Sequence, residues 1–186
     1  MSPAELSPAA PVSTAPAPPA IELTFADLAN LGCRVVAGAP GTRLGSIDID
    51  SRRIGPGDWF LAHRGEQADG HDFLADVKAR GAAGAIIEDP TRLPSDFSLP
   101  ALQVDDHAAF LERLAKLIRD RFAGQVVGIT GSVGKTTCKH TLAHLLSHDR
   151  AVLATPWNWN TEIGVPLTLS RLLSHGADVL VLELAM

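Results

Sequence analysis

The segment TGSVGKTT, Thr130 to Thr137, constrains this chain more than any other feature. A β-rich run, Gln125 to Ile129, precedes it, and a helix is expected from Lys135 to about His148, giving the order strand, glycine loop, helix. Gly131 and Gly134 permit close backbone approach, successive amides point at phosphate oxygens, and the new helix offers roughly half a positive charge at its N-terminus. Such a loop suits the polyphosphate of ATP. Lys135 is placed to reach the β and γ phosphates, and the Thr136 hydroxyl to complete a Mg2+ shell. The nucleotide-binding residues read this way are Gly131, Ser132, Val133, Gly134, Lys135, Thr136 and Thr137. The general phosphate-loop pattern has glycine five residues before Gly134; Ile129 stands there, so this is a shortened variant.

The rest of the chain reads as α/β on either side of residue 124. Residues 1–20 are almost entirely Ala, Pro and Ser, a composition that buries too little apolar surface to offset the entropy of ordering, and are expected to form a disordered tail. Residues 21–123 form a first unit. Short apolar runs at Ile47 to Asp50 and Trp59 to Ala62 are separated by the turn chemistry of Arg53 to Asp58. A helix is expected from His71 to Arg80, a buried strand from Ala85 to Ile87, and an amphipathic helix from His107 to Phe122 with Asp106 as N-cap. Residues 124–186 begin a second unit, with further parallel strands at Ala151 to Ala154 and Val179 to Leu184 and a helical stretch from Glu162 to Leu173 carrying Pro166 near its start. Three strands make a small sheet for a nucleotide-binding domain, so this unit is expected to be cut short.

Composition narrows the partners. A formal charge of −5 removes the general electrostatic case for nucleic acid, which needs a basic face to release counterions. No apolar run is long enough to cross a membrane, and the proline-broken N-terminus with no basic residue does not read as an export signal. Cys33 and Cys138 match no metal spacing and are expected to be reduced thiols.

Glu183 ends the apolar strand VLVLEL at the carboxyl edge, where open parallel sheets gather ligands, and a carboxylate there needs a cation. His140, His144 and His148 recur every fourth residue, a metal-like spacing, but Cys138, Leu142, Leu145 and Leu146 are expected to form the buried side of that helix. The histidines then face solvent. Trp157 and Trp159 flank Asn158 in a loop and either wall a ligand site or anchor the loop on the core.

The loop form Thr-Gly-Ser-x-Gly-Lys-Thr resembles that of the Mur ligase superfamily. The segment NWNTEIGVP, Asn158 to Pro166, is similar to that of the superfamily members that add D-alanyl-D-alanine, with Thr161 in place of their second asparagine. Upstream, IDIDSRR at Ile47 to Arg53 and GEQADGHDF at Gly65 to Phe73 resemble the superfamily's UDP-sugar-binding first domain. The resemblance covers residues 21–186 and implies a small N-terminal α/β UDP-sugar-binding domain followed by part of a central ATP-binding domain. It also implies a cytoplasmic, monomeric ATP-dependent ligase joining D-alanyl-D-alanine to a UDP-N-acetylmuramoyl tripeptide in peptidoglycan synthesis. Lys135 and Glu183 are the catalytic candidates it implies, with Thr136 and Glu183 on Mg2+.

Substrate-binding candidates are Ser46, Ser51, Arg52, Gly65, Gln67, Ala68, Asn160 and Thr161. Read without the family, Ser46, Ser51, Gly65 and Gln67 are either backbone-exposing ligand contacts or plain turn residues, and Asn160 and Thr161 are polar residues capping a helix start. The rival readings are another Mur-type amino acid ligase and a non-catalytic ATP or UDP-sugar-binding module.

Overall fold

The computed structural model describes residues 17–38, 43–65 and 68–185. Most of the expected tail, and Gln67 among the substrate candidates, lie outside these residues. Residues 17–20, expected to belong to that tail, have no regular secondary structure, and Pro18 lies close against Gly176. The cause lies just downstream: the Ile21 amide donates to the Leu172 carbonyl at 2.8 Å, and Ile21 and Leu23 pack on the core.

In the first unit, α1 (Phe25–Asn30) opens with a capping box in which the Thr24 hydroxyl accepts from the Asp27 amide and the Asp27 carboxylate from the Thr24 amide. The strands β1 (Arg34–Ala37), β2 (Ile47–Asp48), β3 (Trp59–Leu61), β4 (Gly84–Ile87) and β5 (Ala101–Gln103) form one sheet in the order β1-β5-β4-β3-β2. The pairs β2–β3, β3–β4 and β4–β5 are parallel and β1–β5 is antiparallel, so the sheet is mixed. β4 is central and buried at every residue, which accounts for its unbroken apolar sequence. The helix expected from His71 begins instead as a 3-10 turn, Gly70–Phe73, and becomes α-helical as α2 (Leu74–Ala79). α3 (His107–Arg121) is capped by the Asp106 side chain, as its sequence predicts, and buries Phe110, Leu111, Leu114 and Ile118.

The second unit is a three-stranded parallel sheet of β6 (Gln125–Ile129), β7 (Val152–Ala154) and β8 (Val179–Glu183), in the order β6-β8-β7. β8 is buried throughout and β6, at the edge, is partly exposed. α4 (Lys135–Leu146) follows β6, and α5 (Gly164–Ser170) continues into a 3-10 turn, Arg171–Leu173. α5 lies against α3, so Leu167, Leu169, Leu172 and Leu173 share one hydrophobic core with Phe110, Leu111 and Leu114 of the first unit.

α4 is rotated from its expected phase. Cys138 and Leu145 are exposed, Leu142 and Leu146 are only partly covered, and the residues buried on the sheet are Lys139 and Ala143, one turn apart. A lysine can occupy that stripe because its ammonium finds acceptors beneath the helix. His140, His144 and His148 are exposed, and no metal-binding cluster of His, Cys, Asp or Glu occurs among the described residues.

Candidate functional site

Ile129, the last residue of β6, pairs with Glu183, the last of β8, so the glycine loop and this carboxylate emerge side by side at the carboxyl edge of the sheet. Gly134 caps α4 at φ 81°, a left-handed conformation that glycine adopts without the strain of a Cβ, and it turns the chain sharply from loop into helix. Val133 at the loop tip is 90% exposed, which leaves the loop backbone open to an incoming ligand. The Lys135 ammonium folds back over the loop to donate to the Gly131 carbonyl.

Glu183 is 2% exposed and satisfied on every side. Its Oε2 accepts from Lys139 Nζ at 3.0 Å, its Oε1 from Asn160 Nδ2 at 3.1 Å, and the Thr136 hydroxyl reaches both oxygens at 3.1 and 3.2 Å. Burial alone pushes this carboxyl up, but the hydrogen bond and charge of Lys139, helped by Thr136 and Asn160, outweigh it and hold the group below its ordinary value. The site therefore keeps an ionised carboxylate beside a threonine hydroxyl at the mouth of a phosphate-type loop. An all-oxygen pair of this kind fits a hard divalent cation such as Mg2+, which retains waters and phosphate oxygens for its other positions.

The structure divides Asn160 from Thr161. Asn160 reaches Glu183, whereas the Thr161 hydroxyl accepts from the Gly164 amide at 3.1 Å and caps the start of α5.

A cavity of about 810 Å³ opens in the first unit. Ser51, Arg52, Gly65 and Ala68 line it, joined by Arg53, His63, Arg80 and, from the second unit, Trp159. Arg52 is held by a two-pronged pair with Asp50, at 2.8 and 2.9 Å. Ser46 is not on this wall. It is buried at the seam between units, where its amide donates to Ser174 Oγ at 2.8 Å, so its backbone is already engaged rather than open to a ligand. The structure separates the two tryptophans: Trp159 packs on the core and lines the cavity, whereas Trp157 is exposed and lies under the Arg53 guanidinium, 4.1 Å from its ring centroid.

Sequence reasoning missed Lys139, Arg53, His63 and Arg80. For Lys139 a signal existed: it is one turn beyond Lys135 on a helix that must cover a sheet ending in a lone carboxylate. Arg53, His63 and Arg80 carry no local signal, because only the folding of three separate segments brings them to one wall.

A strand, a glycine loop with its lysine, a helix, and a carboxylate on the neighbouring parallel strand together have the architecture of the phosphate-loop α/β class. Residues 43–119 match the Mur ligase family, catalytic domain, and residues 129–186 the Mur ligase middle domain. The chain belongs to the Mur ligase family. It is 37% identical over 164 residues to the UDP-N-acetylmuramoyl-tripeptide--D-alanyl-D-alanine ligase of Escherichia coli (strain K12), covering 88% of this chain and 35% of that protein. To the ligase of the same description from Synechocystis it is 38% identical over 144 residues, or 77% of this chain and 31% of the relative. Among solved structures, MurF from Acinetobacter baumannii superposes with a TM-score of 0.70 at 34% identity, covering 91% of this chain and 37% of its own. The MurF ligase from Thermotoga maritima in complex with ADP gives 0.57 at 40% identity, covering 76% and 32%. The chain thus spans about a third of the length of the relatives it matches.

Proposed function

We propose that this chain contributes the UDP-sugar site and the phosphate-gripping part of the ATP site to a ligase that joins D-alanyl-D-alanine to UDP-N-acetylmuramoyl tripeptide. The observation that carries this reading is the alignment of Lys135, Thr136 and the ionised Glu183 at one sheet edge, in a chain whose first unit has a cavity lined by Arg52, Arg53 and Arg80 together with Asp48, Asp50 and Asp76. Relatives described as that ligase, and one solved with ADP, support it. On this reading the chemistry belongs to peptidoglycan synthesis in the cytoplasm.

A carboxylate is a poor electrophile, so the proposed reaction first transfers the γ phosphoryl group of ATP to the tripeptide carboxylate, giving an acyl phosphate and ADP. The amine of D-alanyl-D-alanine then attacks the acyl carbon, and the tetrahedral adduct collapses to the amide with loss of a proton and inorganic phosphate. Within this chain, the loop amides orient the β and γ phosphates, and Lys135 leaves the Gly131 carbonyl to place its charge on them. Thr136 and Glu183 would hold Mg2+, which supplies further neutralisation of the phosphate oxygens. Ser51, Arg52, Gly65 and Ala68 contact the UDP-sugar, with Trp159 closing the wall.

Lys135→Ala removes the loop's cation, and loss of a charge-assisted hydrogen bond costs about 1.5–3 kcal/mol, so ATP affinity measured by calorimetry with Mg2+ falls roughly tenfold to a hundredfold. Unchanged affinity would remove Lys135 from the site. Titration with UDP-N-acetylmuramic acid, without ATP, shifts amides around Ser51 to Arg53 and Gly65 to Gly70. Shifts confined to residues outside the cavity wall would overturn the assignment of that site.

A further inference from the structure

We propose that Lys139 is a positioning residue of the phosphate-loop site, fixing the Glu183 carboxylate and the Trp157 to Asn160 segment in one geometry. Its side chain is wholly buried, so the ammonium is not available to a bound phosphate, unlike that of Lys135. It has two acceptors: Glu183 Oε2 at 3.0 Å and the Trp157 carbonyl at 2.7 Å. Trp157 stands at φ 44°, the one non-glycine residue with positive φ among the described residues, and its carbonyl is tied down by this one ammonium. From that turn the chain proceeds to Asn160, whose side chain holds the other oxygen of Glu183.

Lys139 thus acts on the carboxylate twice, by direct charge and by shaping the segment that delivers Asn160. With Lys139 on Oε2 and Asn160 on Oε1, the contact that both oxygens share is the Thr136 hydroxyl, the group with which Glu183 would hold a cation. A buried carboxylate without its cationic partner turns toward solvent, and that removes a metal ligand. The inference rests on the reading of Glu183 as a cation-binding group.

The test is ATP titration of the 186-residue chain, following the amides of Gly131 to Thr137, with Mg2+ and again with chelator. The quantity read is the Mg2+ enhancement, the affinity with metal divided by that without. In Lys139→Met the enhancement falls at least tenfold, and in Glu183→Gln it falls as far. The double variant, which contains no unpaired buried charge and so keeps the comparison available if Lys139→Met does not fold, shows the same low enhancement as Glu183→Gln. A purely structural lysine lowers both affinities together and leaves the ratio unchanged. That result, or a further fall in the double variant, overturns the proposal while leaving the site reading intact. Absence of any enhancement in the unsubstituted chain overturns the site reading and this inference with it.

Discussion

Buried ionisable groups in this molecule either keep their charge against well-placed partners or surrender it to burial. Lys139 and Glu183 pair, and removing one partner of such a pair typically costs about 3–5 kcal/mol because the other is left uncompensated. His107 takes the second course. It is 3% exposed, its Nε2 has no hydrogen-bond partner, and burial pushes its pKa down from 6.5 to about 4 despite the nearby Glu88. Between those values the unfolded chain binds a proton that the folded chain refuses, so the stability due to neutral His107 is complete above about pH 6.5 and is lost as pH falls toward 4. Urea unfolding at pH 7.5, 6 and 5 should show His107→Leu losing less stability than the unsubstituted chain, by no more than about 1.4 kcal/mol per pH unit. Identical slopes would show that His107 binds its proton equally in the folded and unfolded chain, so that burial does not depress it. At this scale the placement of Lys135, Thr136 and Glu183 at one sheet edge was legible, because it follows from their positions in a strand, loop and helix pattern. The dual use of Lys139 was not, since its side chain counts as polar in any periodicity and its acceptors lie 18 and 44 residues away.

Among the elements, those with an apolar pattern were readable, the short strands β3, β4 and β7 included, and the exposed ones were not. α3 keeps one apolar face for four turns and starts at a capping aspartate, so its sequence alone defines it. α1 has six residues and β1 four, mostly exposed, and their existence depends on a capping box and on antiparallel pairing with β5 rather than on an apolar pattern. α4 was misphased for a physical reason: its covered stripe runs through Lys139, so a pattern counted on apolar residues rotates the helix. Gly164, in the EIGVP segment, shows what a motif residue does for an element. A Cβ built there would lie 2.7 Å from the backbone of Trp159, so only glycine lets α5 begin that close to the tryptophan segment. Gly164→Ala must therefore displace Trp159, at a cost of about 1–3 kcal/mol in urea unfolding, with a shift in tryptophan emission. A loss under about 0.5 kcal/mol with unchanged emission would mean that the segment moves freely and that the close approach is incidental.

For the molecule as a whole, a boundary near residue 124 marks a change in sequence character, yet the core runs through it. Leu172 is 1% exposed, belongs to the second unit by sequence, and lies in the cluster that holds Phe110, Leu111 and Leu114 of α3. Its carbonyl accepts from Ile21, and nearby the Ile47 amide that begins β2 donates to Ser170 Oγ at 3.0 Å. Periodicity could identify each helix and strand but not which faces meet, so this seam was invisible before the fold was known. It has an energetic consequence. A buried leucine truncated to alanine typically costs about 2–5 kcal/mol, and where the cavity opens into a core shared by two sheets that loss is felt by both. Hydrogen exchange of Leu172→Ala under native conditions should therefore lower protection equally at Ile86 in β4 and at Val181 in β8, both fully buried at the centres of their sheets. Urea unfolding should remain a single transition with an unchanged slope. If protection fell at Val181 and not at Ile86, the two units would be energetically separate and the shared leucines a contact surface. Equal loss would establish one cooperative body, in which the cavity of the first unit and the phosphate loop of the second keep a fixed spacing.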